Sequence, residues 1–287
     1  MSKELRYLSL LHNNLTGCGL NNGTMRLDMI QRLQSLNTLG LSYNNLSVDI
    51  TFNENHDGLS SFPKMKYLLL ASCKLMEFPK FLRNQPHLNG LDLSNNYIHG
   101  AIPNWILRFN YLVYLNLSNN FITDLERPFD DLNSNLYSLD LHSNKLHISK
   151  CLIKRNSTLR VLNLAGNKLT GYVSDTISSS CNLRFLDLNG NLFRGLIPKS
   201  LTNCQRLQLL NLGNNMFSGR FPCFLRKIST LRVLILSDWK MLHIVDLASN
   251  NFTGTLTKSL LRSWTKMMDG NDKDEIQEEY GTFFSDM

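Results

Sequence analysis

Leucine, replaced here and there by isoleucine, valine or phenylalanine, recurs along this chain in one phrase, Leu-x-x-Leu-x-Leu-x-x-Asn-x-Leu, written in some version eleven times. Clear copies are Leu88-Leu91-Leu93-Asn96-Ile98, Leu112-Leu115-Leu117-Asn120-Ile122 and Leu183-Leu186-Leu188-Asn191-Phe193. From Asn96 to Asn215 the asparagines fall 24, 24, 23, 24 and 24 residues apart. Each Leu-x-Leu pair alternates at a period of two and predicts a short strand with both leucines on one side. One such unit cannot bury its apolar edge alone, whereas stacked units bury a continuous core. Asn13, Asn44, Asn96, Asn120, Asn144, Asn167, Asn191, Asn215 and Asn250 form a ladder where the chain turns away from each strand. An amide there both donates and accepts, so the ladder is predicted to satisfy backbone groups of its own turn and of the adjacent one.

A fixed period in this range is the signature of leucine-rich repeats. The pattern predicts an α/β fold: a right-handed solenoid with a parallel β-sheet on the concave face and uncapped ends. Residues 1–262 read as the solenoid of about eleven repeats, and residues 263–287 as an acidic, aperiodic tail. Two stretches break the rhythm. Between Asn13 and Asn44 the spacing is 31, and the extra residues place Leu27, Ile30, Leu33 and Leu36 at three-residue steps, predicting a short helix on the convex side. From Asn44 to Cys73, which holds the ladder position, it is 29. Late in the chain, Leu231-Leu234-Leu236 is followed after only eleven residues by a new start at Leu242. Parallel neighbours need a crossover of about a dozen residues or more. These two segments are therefore not expected to be ordinary consecutive turns.

Composition narrows the function classes. No run of eighteen apolar residues occurs, and the chain runs from Met1 straight into a repeat at Leu5 without the pattern of a secretory leader. The net charge of +7 hides an uneven split. Residues 263–287 hold seven acids against Lys266 and Lys273, a net of −5, which leaves +12 for the rest by subtraction. That basicity is spread through the repeats rather than clustered, so it argues weakly for acidic partners and hardly at all for nucleic acid, which is not expected as a partner. Chemistry is hard to place on this chain. Gly17-x-Gly19 lacks the third glycine of a dinucleotide loop, since Asn22 stands there. Lys273 interrupts any calcium-loop alternation between Asp269 and Glu279. No nucleophile elbow occurs, and the seven histidines show no ligand spacing to cysteine or carboxylate. The reading is of a non-catalytic chain with no metal and no cofactor.

Several repeats continue past the ladder as Gly-x-Ile-Pro: Gly100-Ala101-Ile102-Pro103, Gly195-Leu196-Ile197-Pro198 and the variant Gly219-Arg220-Phe221-Pro222. In this extension the chain resembles the plant-specific subclass of leucine-rich repeats. Phe78-Pro79-Lys80-Phe81-Leu82-Arg83-Asn84-Gln85, and Ile244-Val245-Asp246-Leu247-Ala248-Ser249-Asn250-Asn251-Phe252 followed by Trp264-Thr265-Lys266-Met267-Met268, are similar to plant receptor-like proteins of the Verticillium-wilt-resistance type. The resemblance implies a piece of a cell-surface immune receptor ectodomain, on the extracellular side of the plasma membrane. It implies a pathogen-derived protein or peptide ligand, with signalling through co-receptor kinases in the intact family. It also makes residues 269–287 the start of a non-repeat island. The family's leader, cysteine-paired caps, membrane helix and cytoplasmic tail are not in the sequence. The chain thus reads as an internal fragment or a truncated gene product, with no membrane contact of its own. The alternative is a secreted inhibitor of cell-wall hydrolases, resembling plant polygalacturonase inhibitors, which share the repeat type.

Alternation places the residues flanking the strand leucines on the concave face. Between the two leucines stand Asp92, Asn116, Asp140, Asn163, Asp187, Asn211 and Asp246. Asp or Asn is so usual there in this repeat class that a structural role is the first reading. Before the second leucine stand Tyr67, Tyr114, Val161, Phe185, Leu209, Val233 and Ile244, an apolar column that calls for a partner where exposed. Tyr114, Phe185, Asp187, Leu209 and Asn211 are the candidate ligand contacts. Six Asn-x-Ser/Thr sequons, at Asn14, Asn22, Asn45, Asn116, Asn156 and Asn251, are candidate glycosylation sites. Cys181 and Cys204 lie nearly one repeat apart and are close enough in principle to pair, but cysteines so placed are more often buried apolar fillers.

Overall fold

A computed structural model describes residues 4–13, 24–44, 46–50, 62–126, 135–147, 158–220, 222–236, 245–246 and 251–253. The chain divides into two compact units, Met1–Leu146 and His147–Met287. In the first, the strands Tyr7–Ser9, Thr38–Gly40, Tyr67–Leu69, Gly90–Asp92, Tyr114–Asn116 and Ser138–Asp140 lie side by side in chain order. All of them pair in parallel. In the second, Val161–Asn163, Phe185–Asp187, Leu209–Asn211, Val233–Ile235 and Val245–Asp246 do the same. Register matches repeat to repeat: Leu91 faces Leu68 and Leu115, and Leu186 faces Leu162 and Leu210. The strand leucines are consequently sealed, with Leu68, Leu91, Leu93, Leu139, Leu141, Leu162 and Leu186 fully buried.

The turn that leaves each strand is made the same way throughout. The residue before the ladder position takes a left-handed conformation, at His12, Tyr43, Ser72, Asn95, Asn119, Ser143 and Asn214, and at Gly166 and Gly190. The ladder amide then stitches two repeats together. Asn96 Nδ2 donates to the carbonyls of Leu93 and Ser94 in its own turn and of Leu70 in the preceding one, while its Oδ1 accepts from the amides of Cys73 and Leu75. Asn120 and Asn144 repeat the arrangement in the first unit, and Asn191 and Asn215 in the second. Asn44 accepts from the amide of Asn13, and Asn13 and Asn167 bond their own turns. Asn250 lies outside the described residues. At Cys73, which holds a ladder position in place of asparagine, the thiol lies within hydrogen-bonding distance of the Leu41 and Ala71 carbonyls, to which it donates. Burial and the nearby Asp92 push that thiol up to about 12.

The return segments explain the Gly-x-Ile-Pro extension. Gly100, Gly195 and Gly219 have φ of +85°, +82° and +98°, a region closed to most residues with a side chain. A proline then opens a 3-10 turn: the Leu201 amide donates to the Pro198 carbonyl, and that of Leu225 to the Pro222 carbonyl. The convex helical segments are short 3-10 pieces, Leu27–Arg32, Lys80–Asn84, Ile106–Arg108, Lys199–Asn203 and Cys223–Lys227. The three-residue steps of Leu27 and Ile30 are the period of that helix, and both are buried.

One expectation is corrected: Cys181 and Cys204 are joined in a disulfide, with Cα atoms 4.8 Å apart, rather than serving as separate fillers. At the short repeat the strands pair as neighbours, Leu234 facing Val245 and Ile235 facing Asp246 in parallel register. Residues 237–244, which join them, lie outside the described residues. On the other side, Gly219 of Met216–Arg220 faces Phe252 of Asn251–Thr253 directly. The repeat that begins at Leu231 thus supplies a concave strand, while the second strands of its two neighbours meet each other.

Candidate functional site

The concave strands carry the candidate contacts, held at fixed register by the parallel pairing. In the first unit the residues preceding the strands are Lys66, Asn89, Val113 and Tyr137, and the first strand residues are Tyr67, Gly90, Tyr114 and Ser138. Tyr67, Tyr114 and Tyr137 are half-buried, and the rings of Tyr114 and Tyr137 are 5.8 Å apart and tilted. Gly90 stands between Tyr67 and Tyr114 in register. Burial raises the Tyr114 phenol above its ordinary value, and the phenols of Tyr137 and Tyr67 add to the shift. The middle position carries Asp92, Asn116 and Asp140, all buried. Each accepts from the amide two residues on: Ser94 to Asp92 at 2.8 Å, Ser118 to Asn116 at 3.1 Å, His142 to Asp140 at 2.9 Å. This is the Asx turn that makes Asp and Asn interchangeable in the column. Burial pushes Asp92 up to about 6, with Asp140 adding to the shift. The imidazole Nδ1 of His142 lies 2.7 Å from Asp140 Oδ1.

The second unit has a different face. Arg160, Arg184, Gln208 and Arg232 precede the strands, and backbone bonds from Arg184 to Arg160, from Gln208 to Arg184 and from Arg232 to Gln208 stack them in one column. Basic residues that look dispersed in the sequence are thereby gathered, because a spacing near 24 becomes adjacency in a solenoid. Beside them run Val161, Phe185, Leu209 and Val233. Phe185 and Val161 are only 2% and 3% exposed, whereas Leu209 and Val233 are half-buried. The apolar column expected to be open is therefore closed at Phe185, whose ring is core rather than contact surface. Asp187 and Asn211 are half-buried and meet, Asn211 Nδ2 donating to Asp187 Oδ2 at 3.0 Å. The structure thus brings Asp187, Leu209 and Asn211 together on one unit and places Tyr114 on the other. The residues preceding the strands were the ones sequence alternation passed over. Their signal was positional: they recur one place before the strand column.

Of the sequons, Asn116 is 7% exposed, and its Oδ1 also accepts from the Ser118 hydroxyl at 2.8 Å. The folded chain does not offer that amide to a glycosyl donor. Asn14, Asn22, Asn45 and Asn156 lie outside the described residues, and Asn251 begins the strand Asn251–Thr253. Among the described residues no group of three or more His, Cys, Asp or Glu side chains is placed to hold a metal ion. No helix among them is long and apolar enough to cross a membrane.

A solenoid of parallel strands, one per repeat, with an amide ladder at each turn defines the chain's class: it is a leucine-rich-repeat protein. The family profile described as "Leucine rich repeat" matches residues 86–146 and 134–193, and a second profile of the same description matches residues 206–228. Within that class the chain belongs with the plant receptor-like proteins. It is 32% identical to "Receptor-like protein 53" of Arabidopsis thaliana over 92% of this chain and 32% of that protein. Among solved structures it resembles the Arabidopsis receptor kinase HAESA, solved with the peptide hormone IDA and the co-receptor SERK1, at 26% identity and a TM-score of 0.64, covering 82% of this chain and 42% of that one. A plant ice-binding protein shares the frame at 26% identity and a TM-score of 0.60, covering 76% and 67%. The chain spans about one third of the length of the curated relatives it matches, 32% and 34% for two of them. One frame thus serves unlike tasks, so function must be argued from the concave side chains.

Proposed function

We propose that this chain is the ligand-reading part of a plant cell-surface immune receptor-like protein of the Verticillium-wilt-resistance type. It is non-catalytic, takes an extracellular, pathogen-derived protein or peptide on its concave faces, and signals in the intact receptor through partner kinases. Tyr114 on the first unit and Asp187, Leu209 and Asn211 on the second contribute contacts, while Phe185 supports the strand beneath them. The carrying observation is a contrast within the chain. From repeat to repeat the buried positions are almost all leucine, but the residues preceding the strands run Lys66, Asn89, Val113, Tyr137 in one unit and Arg160, Arg184, Gln208, Arg232 in the other. A frame that needed only to stack would have no use for such variety on rigid strands. The similarity to HAESA, whose structure holds a peptide hormone, supports a polypeptide ligand.

The test is made in the intact receptor. Leu209→Arg places a charged, longer side chain on the second concave face. It is expected to abolish elicitor-induced association with a partner kinase and the defence response, with surface abundance unchanged. Full response in a receptor carrying Leu209→Arg together with Tyr114→Val would overturn the concave-face reading.

A further inference from the structure

The first concave face has a composition that selects its ligand. Tyr67 and Tyr114 stand on the strands either side of Gly90, the Tyr137 ring lies 5.8 Å from that of Tyr114, and both neighbouring phenols act on that of Tyr114. On the same face, two residues further along the strands, Asp92 and Asp140 flank Asn116, two strand spacings or about 10 Å apart. Asp140 has the imidazole of His142 beside it. Among the described residues Asp92 has no such neighbour: the groups acting on its charge are Ser94, Asp140 and, through mutual influence, the Cys73 thiol. Lys66, at the outer end of the neighbouring strand, and Lys74, beyond its turn, are not among them. Beside Tyr114 in register, the hydroxyl of Ser138 is fully buried with no hydrogen-bond partner among the described residues. Aromatic faces attract cations, and a buried carboxylate without a counter-charge does so more strongly.

We infer that the first unit carries a docking site for a lysine or arginine side chain of the polypeptide ligand, seated against Tyr67, Tyr114 and Tyr137 beside Asp92. This rests on the concave-face reading and names the chemistry of one contact. The occupant is cationic because ring faces and carboxylates both repel an anion, and because a purely apolar group would leave Asp92 buried and uncompensated. A cation that binds here favours the ionised form of Asp92. Binding is therefore coupled to pH, strong above about 6 and weakening below it.

The test uses the full chain, with fluorescently labelled hexalysine and hexaglutamate peptides followed by anisotropy. The variants are chosen from residues the repeats already tolerate: Asp92→Asn copies Asn116, and Tyr114→Val copies Val161, so folding is retained and is checked by circular dichroism. Hexalysine is expected to bind the wild type and to lose about fivefold or more in each of these variants, while Tyr114→Phe, which keeps the ring, stays within about twofold. Lowering the pH from about 7.5 to about 5 is expected to cost the wild type about tenfold and Asp92→Asn nothing comparable. Hexalysine binding that neither variant weakens, or hexaglutamate binding that Asp92→Asn and Tyr114→Val weaken as much as they weaken hexalysine binding, overturns the inference. A random heptapeptide display library separates this from failure of the wider reading. Captured peptides that depend on Leu209 but carry no dependence on Tyr114 or Asp92 sink the cation site alone. A library in which no peptide responds to any concave substitution sinks both.

Discussion

The ring of Tyr172 lies across Gly195 of the next repeat, so that a β-carbon added to the glycine would fall 2.5 Å from the tyrosine Cδ1. Leu196 covers Gly219 in the same manner one repeat on. The glycine of Gly-x-Ile-Pro is needed twice, for its positive φ and because the x side chain of the previous repeat occupies the space a side chain would take. Gly195→Ala is expected to cost about 3 kcal/mol, combining left-handed strain with overpacking. Gly100 has the same φ sign but nothing within 4 Å of an added β-carbon, so Gly100→Ala is expected to cost only about 1 kcal/mol. Urea denaturation of both, and of Gly195→Ala with Tyr172→Ala, checks this. The double variant should recover the packing share.

The ladder amides are predicted to rank by burial. Asn96→Ala leaves the amides of Cys73 and Leu75 and the carbonyl of Leu70 without partners inside the core, at a cost of about 2 to 4 kcal/mol. Asn13 is exposed and bonds its own turn, and Asn13→Ala should cost about 1 kcal/mol or less. Equal losses in thermal denaturation would contradict the two-repeat stitching.

The disulfide between Cys181 and Cys204 closes a loop with a sequence separation of 23. Removing that constraint with Cys181→Ser and Cys204→Ser is expected to destabilise by about 3 kcal/mol. A melting temperature unmoved by reductant would return both cysteines to the role of simple fillers.

Asp92 makes stability depend on pH in an unusual direction. Its folded value, about 6, lies above its ordinary 3.8, so the folded chain holds a proton that the unfolded chain releases. The stabilisation is fully present below about pH 3.8 and is lost as pH rises through about 6, amounting to about 3 kcal/mol at most. Asp92→Asn should remove this slope and make the chain more stable than wild type at neutral pH. Parallel stability curves for wild type and Asp92→Asn between about pH 4 and pH 7 would refute it.

Thiol reactivity offers a quick check on the turns. Cys223 is exposed, whereas Cys73 is buried with its thiol pushed up to about 12. A thiol reagent at neutral pH should label Cys223 at once and Cys73 only on unfolding.

The sequence by itself determined the frame. A leucine period of about 24 residues dictates where each strand starts, which side the leucines take, and where an amide must sit at the turn. All of that is local to one repeat and needs no knowledge of its neighbours. The three-residue steps of Leu27 and Ile30 likewise announced a helical turn on their own. What tertiary structure decided are relationships between residues a repeat apart, which linear spacing states only approximately. It paired Cys181 with Cys204, and it stacked Arg160, Arg184 and Arg232 into a column. It buried Phe185 where the same position left Leu209 half-open, a difference that two apolar residues in one column do not announce. It also set Leu234 against Val245 despite a connection shorter than the other repeats', since strand pairing depends on the strands themselves, and linear spacing does not state which strands meet.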